Sequence, residues 1–317
     1  MKILSCLLSV VLVCAPVFAG EGQADGSPKQ EEFPAQFMKL EPVASGGQKL
    51  STPVVSYVNE EGQEVALIGA VHVADPAYYA RLNQLFRQYD LLLFEMIGGE
   101  GLQRQEELRR KLDRSKPLGG LTLEEAREWN RMMAWRKKHS RDEMSFLLKL
   151  LGKAYQELSE KLDLQTQHDG IDYSPAHFIH ADMTVREFRE AQARKGESFA
   201  KLMIKSVLSS AAEKPARYRP NELKMLTDLV SGNTVGLKNE VMRSVASSSL
   251  EELEDTVILE GRNARCLEIL DQWREKGHRR IGIFYGAAHL PGLHHELLKR
   301  GYHLKNVQWL SAWSTER

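Results

Sequence analysis

Apolar residues follow two rhythms along this chain. Val54 to Val58 is rich in β-branched residues, Asn59-Glu60-Glu61-Gly62 is a turn cluster, and Glu64 to Gly69 is a second apolar run. Together they predict a hairpin entering the core. Tyr78, Leu82, Leu85 and Phe86 then fall at helical spacing, which predicts an amphipathic helix over Pro76–Tyr89. Asp75-Pro76 is its expected start, with Asp as the cap and Pro in the first turn. Leu91-Leu92-Leu93-Phe94-Glu95 is a continuous apolar stretch of strand length. Strand, helix and strand in that order point to a crossover unit with a parallel pair.

The rhythm changes in the middle. From Leu121 to about Trp273 the chain is charged and helical in pattern, and no repeat period is found. Helices are predicted over Leu123–Lys137, Asp142–Leu162, Thr184–Lys195, Ser198–Glu213, Asn221–Leu229, Val235–Ala246 and Leu250–Lys276. Thr184-Val185-Arg186-Glu187 and Ser249-Leu250-Glu251-Glu252 both have capping-box spacing. Strand character returns over Arg280–Tyr285, followed by a helix over Leu290–Arg300 and a last strand at Val307–Trp309. The expected fold is α/β: a central mixed sheet built from the N- and C-terminal parts of the chain. A large helical insertion, at about residues 120–275, forms a cap.

The N-terminus adds a compartment. Met1-Lys2 is a short positive region, Ile3 to Val17 is almost wholly apolar, and Val17-Phe18-Ala19 places small residues before Gly20. This is the pattern of a secretory signal peptide over residues 1–19, its apolar run shorter than the ~20 residues of a spanning helix. The expected location is periplasmic or secreted, with a retained N-terminal anchor as the alternative. Residues 20–50 are rich in Gly, Pro, Gln and Glu and read as a disordered leader before an α/β domain at 51–317. No other apolar run approaches a membrane span. Signal removal leaves Cys266 as the sole cysteine, so stability must come from packing rather than disulfides. Lys plus Arg and Asp plus Glu number 43 each. With no net field, nucleic acid is not an expected partner.

Two segments share one design. Ile68-Gly69-Ala70-Val71-His72 and Tyr285-Gly286-Ala287-Ala288-His289 each end an apolar strand and precede a helix. Loops beyond the C-terminal ends of parallel strands are where ligands gather. Glycine permits a tight exit there, and histidine can ligate a metal or move a proton near neutral pH. Glu95 closes the adjacent apolar run at the same edge. Burial would raise its pKa unless a cation lies near.

The ordered set resembles the TraB/PrgY/GumN family, related to the Tiki proteases and more distantly to erythromycin-esterase-like and ChaN-like proteins. The matching residues are Gly69-Ala70-Val71-His72, Phe94-Glu95, Glu260-Gly261-Arg262-Asn263 and Gly286-Ala287-Ala288-His289-Leu290-Pro291-Gly292, framing almost the whole mature chain. The resemblance implies that His72, Glu95 and His289 are active-centre residues and that Arg262 and Asn263 line the same site. For the Tiki branch it also implies a metal-dependent, peptidase-type activity.

Two imidazoles and a carboxylate suit a divalent ion such as Mn, Co or Zn, which would polarise a carbonyl and acidify a bound water. Glu95 is then a third ligand or the general base, and sequence does not separate these roles. Arg262 suits an oxyanion or substrate carboxylate, and Asn263 a hydrogen bond to either. The leading expectation is an exported hydrolase cutting an amide or ester bond in a peptide-like substrate. One alternative is a non-catalytic protein that binds haem, a metal or a signalling peptide, with His72 and His289 as haem ligands. Another is a metal-free hydrolase with His72 as base and Glu95 orienting it. His168, Asp169, Asp172, His177, His180 and Asp182 match no standard metal spacing and read as a wall or lid. Tyr285 reads as packed in its strand, and Cys266 as a buried small residue.

Overall fold

A computed structural model describes residues 37–44, 47–99, 101–112, 116–139, 143–198, 221–246 and 255–315. In chain order the elements are β1 (Lys39–Pro42), β2 (Gln48–Val58), β3 (Glu64–Ala70), β4 (Val73–Ala74), α1 (Pro76–Phe86), β5 (Leu91–Phe94) and α2 (Leu102–Lys111). The middle contributes α3 (Leu123–His139), α4 (Glu143–Leu162), β6 (Gln165–Thr166), α5 (Gln167–Gly170), β7 (Phe178–His180), α6 (Val185–Lys195), α7 (Glu222–Ser231) and α8 (Thr234–Ala246). A π-turn at Val257–Gly261 leads into α9 (Arg262–Glu275), and β8 (Arg280–Gly286), α10 (Leu290–Lys299) and β9 (His303–Ser314) complete the chain.

The fold is mixed α/β, as the patterning predicts. Its main sheet runs β1-β2-β3-β8-β5-β7, with β9 added to β2. β2 pairs antiparallel with β3, Val58 facing Glu64 across the predicted hairpin. Strands β3, β8, β5 and β7 are mutually parallel. Leu67, Ile68, Leu92, Leu93, Ile283 and Phe284 are all buried, so these strands read as unbroken apolar runs, as parallel strands covered on both faces do. Register brings their C-terminal ends level: Phe94 is opposite both Phe284 and His180, and Ala70 is opposite Gly286.

Several expectations are corrected. β3 and β5 are parallel, but β8 lies between them, so Glu95 follows the strand next to His289 rather than the strand next to His72. The spacer expected at 20–50 includes strand: β1 and the start of β2 pair through Lys39–Ser51 and Pro42–Gln48. The helical middle contributes β7 to the main sheet and β6 to a small two-stranded one with β4. The final strand runs twelve residues, because it pairs with almost the whole of β2; its many polar, solvent-facing residues conceal that length in the sequence. The described part of the helix expected over Leu250–Lys276 starts as a π-helical turn at Val257 and continues as α9 from Arg262. Thr184 forms the predicted capping box with Glu187. Asp75 does not cap α1 with its side chain; its carboxylate accepts from Ser314 N–H at 2.7 Å and pairs with Lys238. The signal segment, the helix predicted at Ser198–Glu213 beyond residue 198 and the Ser249 capping box lie outside the described residues. Among the described residues no helix is long and apolar enough to cross a membrane.

The loop carrying His72 is fixed from α1. Tyr78 Oη donates to the Gly69 carbonyl at 2.8 Å and meets Thr52 Oγ1 at 2.9 Å, and Tyr79 Oη donates to the Val71 carbonyl at 2.9 Å. Gly69 itself is crowded: a Cβ there would lie 3.2 Å from Pro53 Cδ and 3.3 Å from its carbonyl oxygen. Tyr78→Phe strands a buried carbonyl and hydroxyl, and its expected cost is about 1–3 kcal/mol in urea unfolding. An unchanged midpoint and slope would show that these bonds do not fix the loop.

Candidate active site

All five residues singled out by sequence stand at the C-terminal edge of the parallel strands. His289 ends a 3-10 turn (Ala287–His289) directly after β8, and Glu95 directly follows β5. Arg262 and Asn263 open α9, which follows the π-turn without a break, and both are buried. His72 sits between β3 and β4 and is half-buried. Asp182, two residues past β7, joins them. Sequence reading placed it in a wall or lid; it lies at the centre instead, 1 % exposed.

A chain of charge-assisted bonds links the group. Arg262 Nε donates to Asp182 Oδ1 at 2.9 Å, and Nη2 donates to Asp182 Oδ2 and, at 2.6 Å, to Glu95 Oε1. The Asp182 contact is two-pronged, the geometry in which guanidinium and carboxylate bind most strongly. Glu95 Oε2 accepts the Gly286 N–H, which ties the carboxylate to the end of β8. Arg262 Nη1 lies 3.3 Å from His289 Nε2. These contacts use four of the five guanidinium N–H groups. Arg262 is therefore an internal brace, and the one N–H left on Nη1 is too few for a two-pronged hold on a substrate carboxylate.

Asn263 sets the protonation pattern of His289. Its Nδ2 donates to the His289 carbonyl at 3.2 Å, so the amide oxygen must be the atom 2.7 Å from His289 Nδ1. A carboxamide oxygen only accepts, so Nδ1 carries the hydrogen. The lone pair of the neutral ring is then on Nε2, facing Arg262 Nη1 and, at 3.6 Å, Glu95 Oε1. Gly292 makes this approach possible: a Cβ there would lie 2.6 Å from Asn263 Nδ2.

Burial shapes the charges. It pushes the Glu95 carboxyl upward, but Arg262 and then His289 and His72 outweigh it, holding Glu95 well below its ordinary value of 4.5. Burial would likewise lower the Arg262 pKa, and Asp182 and Glu95 reverse this, so the guanidinium stays charged. For His72 burial wins: the imidazole is held below 6.5, with Glu95 offsetting only part of the effect. His72 is neutral at pH 7, and its ring lies 5.0 Å from that of Tyr155 on α4. Tyr285 donates to the Ala181 carbonyl at 2.6 Å, as a packed strand residue should, and its ring stands edge-on to His289. Burial raises the thiol pKa of Cys266 and leaves it inert.

The donors do not fit the expected Mn, Co or Zn ion as they stand. The guanidinium fills the space beside Glu95 Oε1 and His289 Nε2 that an ion ligated by both would share. Among the described residues no group of three or more His, Cys, Asp or Glu is arranged to hold a metal ion. A haem-ligand role suits His289 no better, since both ring nitrogens already face partners and the residue is 3 % exposed. His180 Nε2 meets the Met96 carbonyl at 2.7 Å, outside the central bonds. A scan of protein-family models and a search of curated proteins returned no match.

Arg262→Met leaves two buried carboxylates uncompensated, and its expected cost at pH 7 is about 3–5 kcal/mol. Because the folded-state pKa of Glu95 is depressed, its stabilisation is present above pH 4.5 and is lost as pH falls below it. The deficit of Arg262→Met relative to wild type should therefore narrow under acid. Urea titrations between pH 7 and pH 3 test this, and a deficit constant with pH would contradict the charge assignment.

Proposed function

We propose that this chain is an exported hydrolase of the TraB/PrgY/GumN type, cleaving an amide or ester bond in a peptide-like substrate. The observation that carries this reading is the convergence at one sheet edge of two imidazoles and an ionised carboxylate, braced by a buried arginine. Export is supported by the signal-like pattern of residues 1–19.

The arrangement favours activation of water by imidazole. His72 is the base in this reading: burial keeps it neutral at pH 7, and it is less buried than His289. It takes a proton from water as the water oxygen bonds to the carbonyl carbon. It then returns that proton to the departing amine or alcohol as the acyl bond breaks. Glu95 stabilises the imidazolium through its field, its own oxygens being bound to Arg262 and Gly286. The fixed positive charge of Arg262 lowers the energy of the developing oxyanion, and its remaining Nη1 hydrogen is the donor to aim at it. His289, pinned by Asn263, holds Arg262 Nη1 in place from the other side.

The test is incubation of the mature protein with a mixed peptide library and activated esters, with products read by mass spectrometry. Cleavage should fall by at least ~100-fold in His72→Ala, the contribution of a general base. It should persist in His295→Ala, an exposed position on α10. Cleavage undiminished in His72→Ala, or no cleavage with or without added Mn, Co or Zn, would sink the proposal.

A further inference from the structure

His289 is held by a side-chain carboxamide, and a second carboxamide stands beside His72. β4, which follows His72 directly, pairs with β6 through Val73–Thr166 and Ala74–Gln165. The next residue, Gln167, donates its backbone N–H to the His72 carbonyl at 2.7 Å. Its side-chain Nε2 donates to Tyr173 Oη at 2.9 Å. Its Oε1 is buried and has no hydrogen-bond partner among the described residues. A buried orphan acceptor of this kind costs about 1–3 kcal/mol unless something nearby satisfies it. The Gln167 side chain favours the protonated form of the His72 imidazole.

On the reading of this edge as a hydrolytic centre, we infer that Gln167 is a positioning residue for His72. Its Oε1 accepts one imidazole N–H, as Asn263 Oδ1 accepts that of His289. The consequence is chemical. An imidazole whose N–H is fixed by an acceptor presents its lone pair on the other nitrogen, in one direction, before substrate arrives. The two histidines are then paired devices of the same design, one buried to brace Arg262 and one half-buried to move a proton. A purely structural Gln167 would need only its backbone bond to His72 and its Nε2 bond to Tyr173; neither uses Oε1.

The test is a long-range proton–nitrogen NMR spectrum of the 15N-histidine-labelled mature chain at pH 8, with His72 assigned through His72→Asn. Wild type should show His72 as a single tautomer. Gln167→Ala keeps the backbone bond and should move both His72 ring-nitrogen shifts toward the average of the two tautomers, leaving those of His289 in place. Gln167→Glu retains an acceptor and should keep the single tautomer. Mixed tautomers in wild type, unchanged shifts in Gln167→Ala, or a mixture in Gln167→Glu would each overturn the inference. No substrate is used, so this outcome is separate from success or failure in finding hydrolysis.

Discussion

The arrangement of this edge depends on one buried ion cluster, Asp182–Arg262–Glu95. Removing a carboxylate from water costs several kcal/mol, and here two are removed beside a single guanidinium. The cost is offset only if the three side chains keep their geometry, so the cluster dictates how its carriers sit. Asp182 comes from the end of β7, Glu95 from the end of β5, and Arg262 from the first residue of α9. The Gly286 N–H closes the circuit to β8. Four segments distant in sequence are thereby locked at one level.

From that brace the chemistry follows in order. Arg262 stays charged, Glu95 stays ionised, and burial keeps His72 neutral. The central group thus joins two carboxylates to one guanidinium, with two imidazoles at its side. The permanent positive charge lies close to where a metal ion would otherwise have to supply it. Asn263 connects the two halves of the design, since the residue after Arg262 sets the tautomer of the histidine that Arg262 touches. That coupling explains why Arg and Asn stand side by side at the start of α9.

Much of this was legible in the sequence for local reasons. His72 and His289 each lie three residues past a strand-terminal glycine, and Glu95 closes a run of leucines, so pattern alone points all three to one sheet edge. Arg262 and Asn263 were tied to the site only through family resemblance. Asp182 and Gln167 were less visible because β7 and β6 have three and two residues, too short to set a rhythm. The insertion of β8 between β3 and β5 was hidden for another reason: strand order is decided by packing between segments almost two hundred residues apart. Asp75-Pro76 matched a helix start, yet its carboxylate was claimed by Lys238 and Ser314, partners that no local window contains.

The central claim is that Arg262 supplies the positive charge of this centre. Calorimetric titration of purified residues 20–317 with Mn, Co and Zn at neutral pH tests it. No saturable uptake that depends on His72, Glu95 and His289 is expected. Stoichiometric binding that disappears in both His72→Ala and His289→Ala would contradict it, and would mean that Arg262 leaves Glu95 to make way for a metal ion.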